Sequence, residues 1–551
     1  MFAVRGVINW PCSKGMITWI IALRKWRNKH LYPTVKNPLA DPVSWKSKFY
    51  RRVKLFPWWL RYNIGIAEES ILKDKIINLA ASIGLEHKWI ERILRHAVSE
   101  FSKKGLGSDY YGYHNIDHEL QAAYFTLLAA NNVVRAEESQ YQSQANVTNN
   151  TVTIRNKFSQ EDMRYLFVAA LFHDYDPLKQ FDKPHEDSVE WFLRNDDRIK
   201  RFIDDIGINI DIIIALIHRT AYPFRDKIAE HANKRMQELF TRAGIAESDT
   251  QKREHYARLG WFLSVSERIA GYALGNFEHA MELARRNAHA LGWHPSLINE
   301  ESVRYFSLLK EEKEMFEYIV DSLADVYKNN LFNNIQSFRN AWQEEINIRN
   351  SIRRAEITLV PVIEKKVNKK SDLRLIESVL NIYRELPTPI RIDEMKFKQT
   401  LSASDSILIT LRINDKSGEI VGYVKGGPLK NYHLRRGTYD ENLGKNNTAY
   451  MEWISVKPGY WGSTGGHLLR LEFLKRAKHI GYTFVTSYVH RNVIMNRINS
   501  GENIEIVQKY DPDKLDYYRI DLRKLAVNRI IPSKMLQSDI GLNENLQPTI
   551  D

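Results

Sequence analysis

The sequence predicts a multidomain protein: an all-α helical domain over residues 61–350, then an α/β (α+β) mixed-sheet domain over residues 355–525. Three observations carry this. The chain has 551 residues, too many for one hydrophobic core, since cores stop growing near about 250–300 residues. From residue 64 to 350 apolar side chains recur at three- and four-residue spacing, the period of a helix face. Past "NIRNSIRRA" the period changes to alternation, the signature of half-buried strands, which puts a boundary near residue 354.

Residues 1–60 form a basic, Trp-rich arm. It holds twelve Lys or Arg against one acid, Asp41, so most of the chain's net charge of +13 sits there and the body is nearly neutral. Six of the 13 tryptophans lie in it: Trp10, Trp19, Trp26, Trp45, Trp58 and Trp59. Cations interleaved with indoles fit an anionic membrane surface; they also fit single-stranded nucleic acid, or an arm that packs its rings on the body. The first 40 residues lack acids, which fits a targeting presequence, although serine is sparse there. The apolar run "MITWIIAL" falls short of the roughly 20 residues that span a bilayer, so no transmembrane helix is expected. Cys12 is the single cysteine. It excludes an intrachain disulfide framework and a Cys-based zinc site, and makes a cytoplasmic location, or a peripheral one at a membrane surface, the expectation.

In the helical domain, "SILKDKIINLAASIG", "KWIERILRHAVSEFSKKG" and "HELQAAYFTLLAANNVV" read as amphipathic helices. Residues 135–160 are polar and read as a long surface loop or insert. In the second domain "EITLVPVIE", "DSILITLRI", "GEIVGYVKG", "AYMEWISVK", "YTFVTSYV" and "NIEIVQKY" read as strands. "SDLRLIESVLNIYREL" and "GGHLLRLEFLKRAKHIG" read as helices between them. Residues 526–551 read as a polar tail.

Histidines mark the first candidate site. "YGYHNIDHELQAAYF" carries His114 and His118 four residues apart; "ALFHDYDP" pairs His173 with Asp174; "DKPHEDSVEWF" and "IIIALIHRTAYPF" add His185 and His218. Helix-borne imidazoles and carboxylates can converge on one cavity of an all-α domain. They suit Mn, Fe, Co, Ni or Zn, and a carboxylate between two cations can hold a hydroxide for phosphoester hydrolysis. Over residues 110–275 the run "YHNIDH … AALFHDYDP … ALIHRT … SVSERIAG" resembles the HD-domain metal-dependent phosphohydrolases, and "YHNIDH" resembles the opening of their cyclic-nucleotide phosphodiesterase version. The resemblance implies His118, His173 and Asp174 as ligands of one or two metal ions, His114 as the phosphate-binding acid, and His185 and His218 at a second metal position. Where the family closes its site with aspartate, this chain has Glu267.

The second candidate site lies in "AYMEWISVKPGYWGSTGGHLLRL", where a strand runs through a small-residue turn into a helix. Such a turn aims backbone N–H groups at an anion. Over residues 355–522 the order of elements resembles the GNAT acetyltransferases. That resemblance implies that acetyl-CoA lies against Val456, Ser463, Thr464, Gly465, Gly466 and Asn492, and that Glu452 is the general base for an amine acceptor. The turn opens with Tyr460 or Trp461 where the family has Arg or Gln, and Asn499 stands where it often has a tyrosine.

The expected function is thus a bifunctional enzyme, a phosphohydrolase acting on a phosphorylated small molecule or nucleotide joined to an N-acetyltransferase. The alternatives are a ligand-sensing or scaffold protein with one or both sites degenerate, or an HD-like di-iron oxygenase.

Overall fold

A computed structural model of the chain describes residues 41–42, 72–102, 114–145, 158–176, 186–291, 295–365, 367, 371–387, 390–391, 393–435, 437–461, 464–510 and 514–525. The expectations for the arm and the tail lie outside the described residues, apart from Asp41–Pro42, which pairs antiparallel with Tyr432–His433. Among the described residues no helix is long and apolar enough to cross a membrane.

Thirteen described helices precede the sheet: α1 (72–82), α2 (His87–Ser102), α3 (Ile116–Ala145), α4 (Gln160–Phe172), α5 (Glu186–Asn195), α6 (Asp197–Asp205), α7 (Ile210–His218), α8 (Asp226–Arg242), α9 (Thr250–Leu274), α10 (Phe277–Leu291), α11 (Ile298–Glu311), α12 (Lys313–Ser322) and α13 (Asp325–Arg353). The centre of this part is the mutual packing of α3, α4, α7 and α9. α4 starts at a capping box, with the Ser159 hydroxyl accepting from Asp162 N–H while the Asp162 carboxylate accepts from Ser159 N–H, so two otherwise orphaned amides are satisfied. It then buries Leu166, Phe167, Leu171 and Phe172 completely, each worth about 1.5–3 kcal/mol relative to exposure. α9 is buried on every face from Ser264 to Ala273, the mark of a helix at the middle of a core. Any polar residue in that stretch is therefore carried into the interior.

One expectation for this part is corrected. The polar segment from residue 135 is not loop throughout, because α3 continues to Ala145. "RAEESQYQSQA" contains neither proline nor glycine and is rich in Ala, Glu and Gln, which sustain a helix after its apolar stripe has ended.

The second part is a mixed sheet of β1 (Leu359–Ile363), β2 (Ile407–Ile413), β3 (Ile420–Pro428), β4 (Thr448–Met451), β5 (Ser455–Val456), β6 (Phe484–His490), β7 (Ile504–Gln508) and β8 (Leu515–Asp521). With it run α14 (Leu373–Arg384), α15 (Glu394–Leu401), α16 (Gly465–Ile480) and α17 (Arg491–Asn499). The strand order is β1-β2-β3-β4-β6-β8-β7, with β5 on β3. All described pairs in this sheet are antiparallel except β4 with β6. Strand alternation sorts the core: Ile407, Ile409 and Leu411 share a cluster with Leu469 and Phe473 of α16, whereas Leu408 and Tyr423 share one with Val379, Leu380 and Phe397 of α14 and α15.

The stretch read as one strand, "AYMEWISVK", is two. Residues Glu452–Ile454 bulge out between β4 and β5, held by the Glu452 N–H donating to the Lys425 carbonyl. The parallel pair covers only Thr448↔Phe484 to Tyr450↔Thr486. Beyond it β5 stays on β3 while β6 continues on β8, so the sheet parts between them.

Gly426 sits where β3 meets β4. A Cβ there would lie 2.1 Å from the Tyr450 carbonyl oxygen and 2.7 Å from Phe473 Cζ. We therefore expect Gly426→Ala to destabilise the sheet-bearing part by about 2–3 kcal/mol, the upper range for overpacking, measured as a lowered calorimetric transition; an unchanged transition would refute this register.

Candidate functional site

Three helices build the histidine site. Asn115 caps α3, its Oδ1 accepting from the N–H groups of Asp117 and His118 at 2.8 and 3.2 Å, so His118 enters the interior on the first turn. His173 is the C-cap of α4, with Asp174 next in the chain. Glu267 comes from the buried middle of α9.

The side chains meet closely. His118 Nε2 lies 3.1 Å from His173 Nε2. Asp174 Oδ2 lies 3.5 and 3.4 Å from these two nitrogens, and Glu267 Oε2 lies 3.8 and 3.9 Å from them. His114 Nδ1 is 2.8 Å from Asp174 Oδ2 at the outer edge. Glu119, adjacent to His118, places Oε2 3.2 Å from His173 Nδ1.

Burial and mutual charge shift these groups strongly. Burial and the neighbouring His173 press His118 well below the ordinary imidazole value. Burial acts in the same sense on His173, but Glu119 and Asp174 outweigh it and lift that ring well above the ordinary value. Burial alone would raise Asp174, yet His173 and His114 hold it well below the usual carboxylate range. Burial pushes Glu119 up to about 8 and Glu267 up to about 7, each against the pull of His173.

The donor set fits a first-row metal ion. Bonds of about 2.0–2.2 Å to imidazole nitrogen and carboxylate oxygen put neighbouring ligand atoms roughly 3.0–3.5 Å apart, close to the spacings among His118, His173 and Asp174. Glu267 stands slightly farther out and reaches the same nitrogens. Among the described residues the one group of metal-ligating side chains whose donor atoms all lie within 4.8 Å of one another is His118, Glu119, His173 and Asp174.

Not every expected ligand arrives. His185 lies outside the described residues. His218, at the end of α7, turns its Nε2 to Glu190 Oε2 at 3.2 Å. Glu190 also accepts from Arg194 and from Arg235, so His218 belongs to a buried ionic hub. Sequence reading missed Glu119, although a signal existed: it lies among Ile116, Leu120 and Ala123 on the buried side of α3, where a carboxylate needs a partner.

The second site forms where β5 and β6 part. α16 begins here with no side-chain cap, behind Thr464, a β-branched residue held at φ 66°. Such a conformation is strained for threonine and persists only where its surroundings impose it. Gly465 is glycine because the helix lies on the sheet: a Cβ would come 2.7 Å from Leu411 Cδ2. Gly466 lies under the Trp461 ring, 2.9 Å from a built Cβ. Val456 is buried opposite Gly422. Asn492 is exposed on the first turn of α17, and Ser463 lies outside the described residues.

Glu452 stands in the bulge, and it is engaged. Its Oε1 accepts from Lys425 Nζ at 2.5 Å and from the Tyr432 hydroxyl at 2.8 Å. Lys425 is 1% exposed, donates also to Thr400 Oγ1 at 2.7 Å and lies over the Phe397 ring; burial lowers its pKa, against the pull of Glu452. The sequence hint for Lys425 was its place two residues after Tyr423 on one strand face.

No protein-family model matches the chain, and no curated protein matches it. Solved structures match over about a third of it. They include an acetyltransferase of the GNAT family from Staphylococcus aureus Mu50, with 15% identity over 30% of this chain and 99% of that one at a TM-score of 0.21. A GCN5-related N-acetyltransferase from Kribbella flavida matches with 12% identity, over 29% and 95%, at 0.22. The GNAT family N-acetyltransferase YhbS from Escherichia coli, in complex with CoA, matches with 12% identity, over 32% and 86%, at 0.20.

Proposed function

We propose that the sheet-bearing part is an acetyl-CoA-dependent N-acetyltransferase. The observation that supports it is the parting of the parallel pair after Tyr450↔Thr486, beside the uncapped start of α16. The strand edge at Val456 offers backbone groups to an extended pantetheine arm, and the helix start offers N–H groups and its positive end to a pyrophosphate. Acetyl-CoA would supply the activated acyl group. The chain's own task is to align an amine with the thioester carbon and to take up the amine's proton. Glu452, in the bulge beside the opening, is the carboxylate we assign to that task, with Lys425 and Tyr432 fixing its Oε1.

A second reading concerns the helical part, where the convergence of His118, His173, Asp174 and Glu267 favours a metal-dependent phosphohydrolase. An ion held there would supply Lewis-acid activation of a phosphoester and of water. His114, held through Nδ1 by Asp174, would meet a phosphate oxygen at Nε2 and exchange a proton with it. The described ligands suffice for one ion, because His218 is committed to Glu190.

Three outcomes are expected. Thr464→Asp should weaken acetyl-CoA binding at least tenfold in calorimetry, by placing a negative charge at the helix start while leaving the fold intact; undiminished binding would remove the phosphate cradle. Elemental analysis of protein purified without a histidine tag should find about one transition-metal ion per chain, lost in Asp174→Ala together with phosphohydrolase activity, with acetyl-CoA binding unaffected. His218→Ala should keep the metal but lower stability by about 1.5–3 kcal/mol, the worth of one hydrogen bond to a charged group; loss of metal there would restore His218 as a ligand.

A further inference from the structure

Lys425 stands in the middle of β3, a strand buried along its whole length. Alternation turns it, with Tyr423, away from Val424 and toward the sheet face covered by α14 and α15. An ammonium so placed has lost its water and needs partners instead. It has three: Nζ donates to Glu452 Oε1 at 2.5 Å and to Thr400 Oγ1 at 2.7 Å, and it lies 4.5 Å from the centre of the Phe397 ring. Packing alone gives no reason for a lysine here, because well-packed apolar side chains in place of such a pair are often as stable or more so.

The two oxygens of Glu452 are not equivalent. Oε1 accepts from Lys425 Nζ and, at 2.8 Å, from the Tyr432 hydroxyl, which engages both of its lone pairs. Among the described residues no donor meets Oε2, and the side chain is 14% exposed. One oxygen is thus tied into the sheet, and the other keeps its lone pairs.

We propose that Lys425 is a positioning residue for acetyl transfer: its ammonium pins Glu452 Oε1, so that Oε2 is the oxygen that takes the amine's proton. This rests on the acetyltransferase reading above. As the amine nitrogen bonds to the acyl carbon, one proton passes from it to Oε2. The C–S bond breaks with its electron pair on sulfur, which takes a proton from water, and Oε2 then returns its own to solvent. Lys425 touches no reacting atom. It fixes the direction of the carboxylate, and a base swung out of line loses most of the benefit of proximity.

The test compares Lys425→Met, Glu452→Gln and the double variant in the full chain. Thiol release from acetyl-CoA is followed with benzylamine or water as acceptor, and acetyl-CoA affinity is measured by calorimetry. Methionine fills the space and removes the charge. The expected result for Lys425→Met is a kcat lowered about 10–100-fold, part of the roughly 10²–10⁴ that a general base supplies, with KM and Kd for acetyl-CoA unchanged. In the Glu452→Gln background Lys425→Met should cost nothing further, because residues that act as one unit are not additive. Wild-type kcat in Lys425→Met overturns the proposal. So does an equal loss in both backgrounds, or a loss of acetyl-CoA affinity in step with kcat, which would make Lys425 a prop of the fold. Should Lys425→Met not fold, Tyr432→Phe removes the other donor to Oε1 while keeping the ring. It is expected to lower kcat about 3–10-fold, the worth of one hydrogen bond, and to have no effect in Glu452→Gln; the same loss in both overturns the proposal. A wild type that binds no acetyl-CoA refutes the acetyltransferase reading itself. One that binds it without releasing thiol overturns Glu452 as the base, and this proposal with it.

Discussion

Two imidazole nitrogens 3.1 Å apart inside a helical core need a proton or another cation between their lone pairs. That constraint organises the helical part. α3, α4 and α9 each deliver a polar residue to the same interior point, and around it their surfaces are packed with fully buried apolar side chains. Removing so many polar groups from water would be costly without compensation, and the compensation is mutual: carboxylates lift His173, imidazoles depress Asp174, and the glutamates remain raised.

The sheet-bearing part solves a different problem. A parallel pair in the middle of an otherwise antiparallel sheet needs a crossover, here α16 between β5 and β6. The bulge at Glu452–Ile454 lets β5 stay on β3 while β6 departs toward β8, and the crossover helix starts beside the opening. Lys425 beneath the bulge gives the carboxylate a fixed partner, so the irregular backbone is secured by a buried ion pair as well as by the Glu452 N–H. Since separating one partner of such a pair leaves an uncompensated charge, the bulge is not free to relax.

The two parts touch through specific contacts. Gly459, at φ 85°, lies so close to α13 that a Cβ would come 2.8 Å from Ile348 Cδ1. Arg391 donates to Glu282 of α10 at 3.2 Å. The turn leading into α16 thus rests on the last helix of the helical part, which itself packs on α9.

Local sequence was enough for most element types and for three residues of the histidine centre: period and the motifs "YHNIDH" and "FHDYDP" put His118, His173 and Asp174 on helix ends, where short-range geometry governs direction. It was also enough for the main strands of the second part and for α14 and α16, because alternation and helical spacing are properties of neighbouring residues, but not for the short helices α15 and α17 or for the break between β4 and β5. Long-range packing decided the rest. Glu267 reaches the centre because α9 is buried all round. His218 does not, because Glu190 and its arginines hold it. Glu119 and Lys425 acquire partners on segments 54 and 27 residues away. A single residue's type announces which charge it carries; which opposite charge it will face is settled only when distant helices and strands exclude water between them.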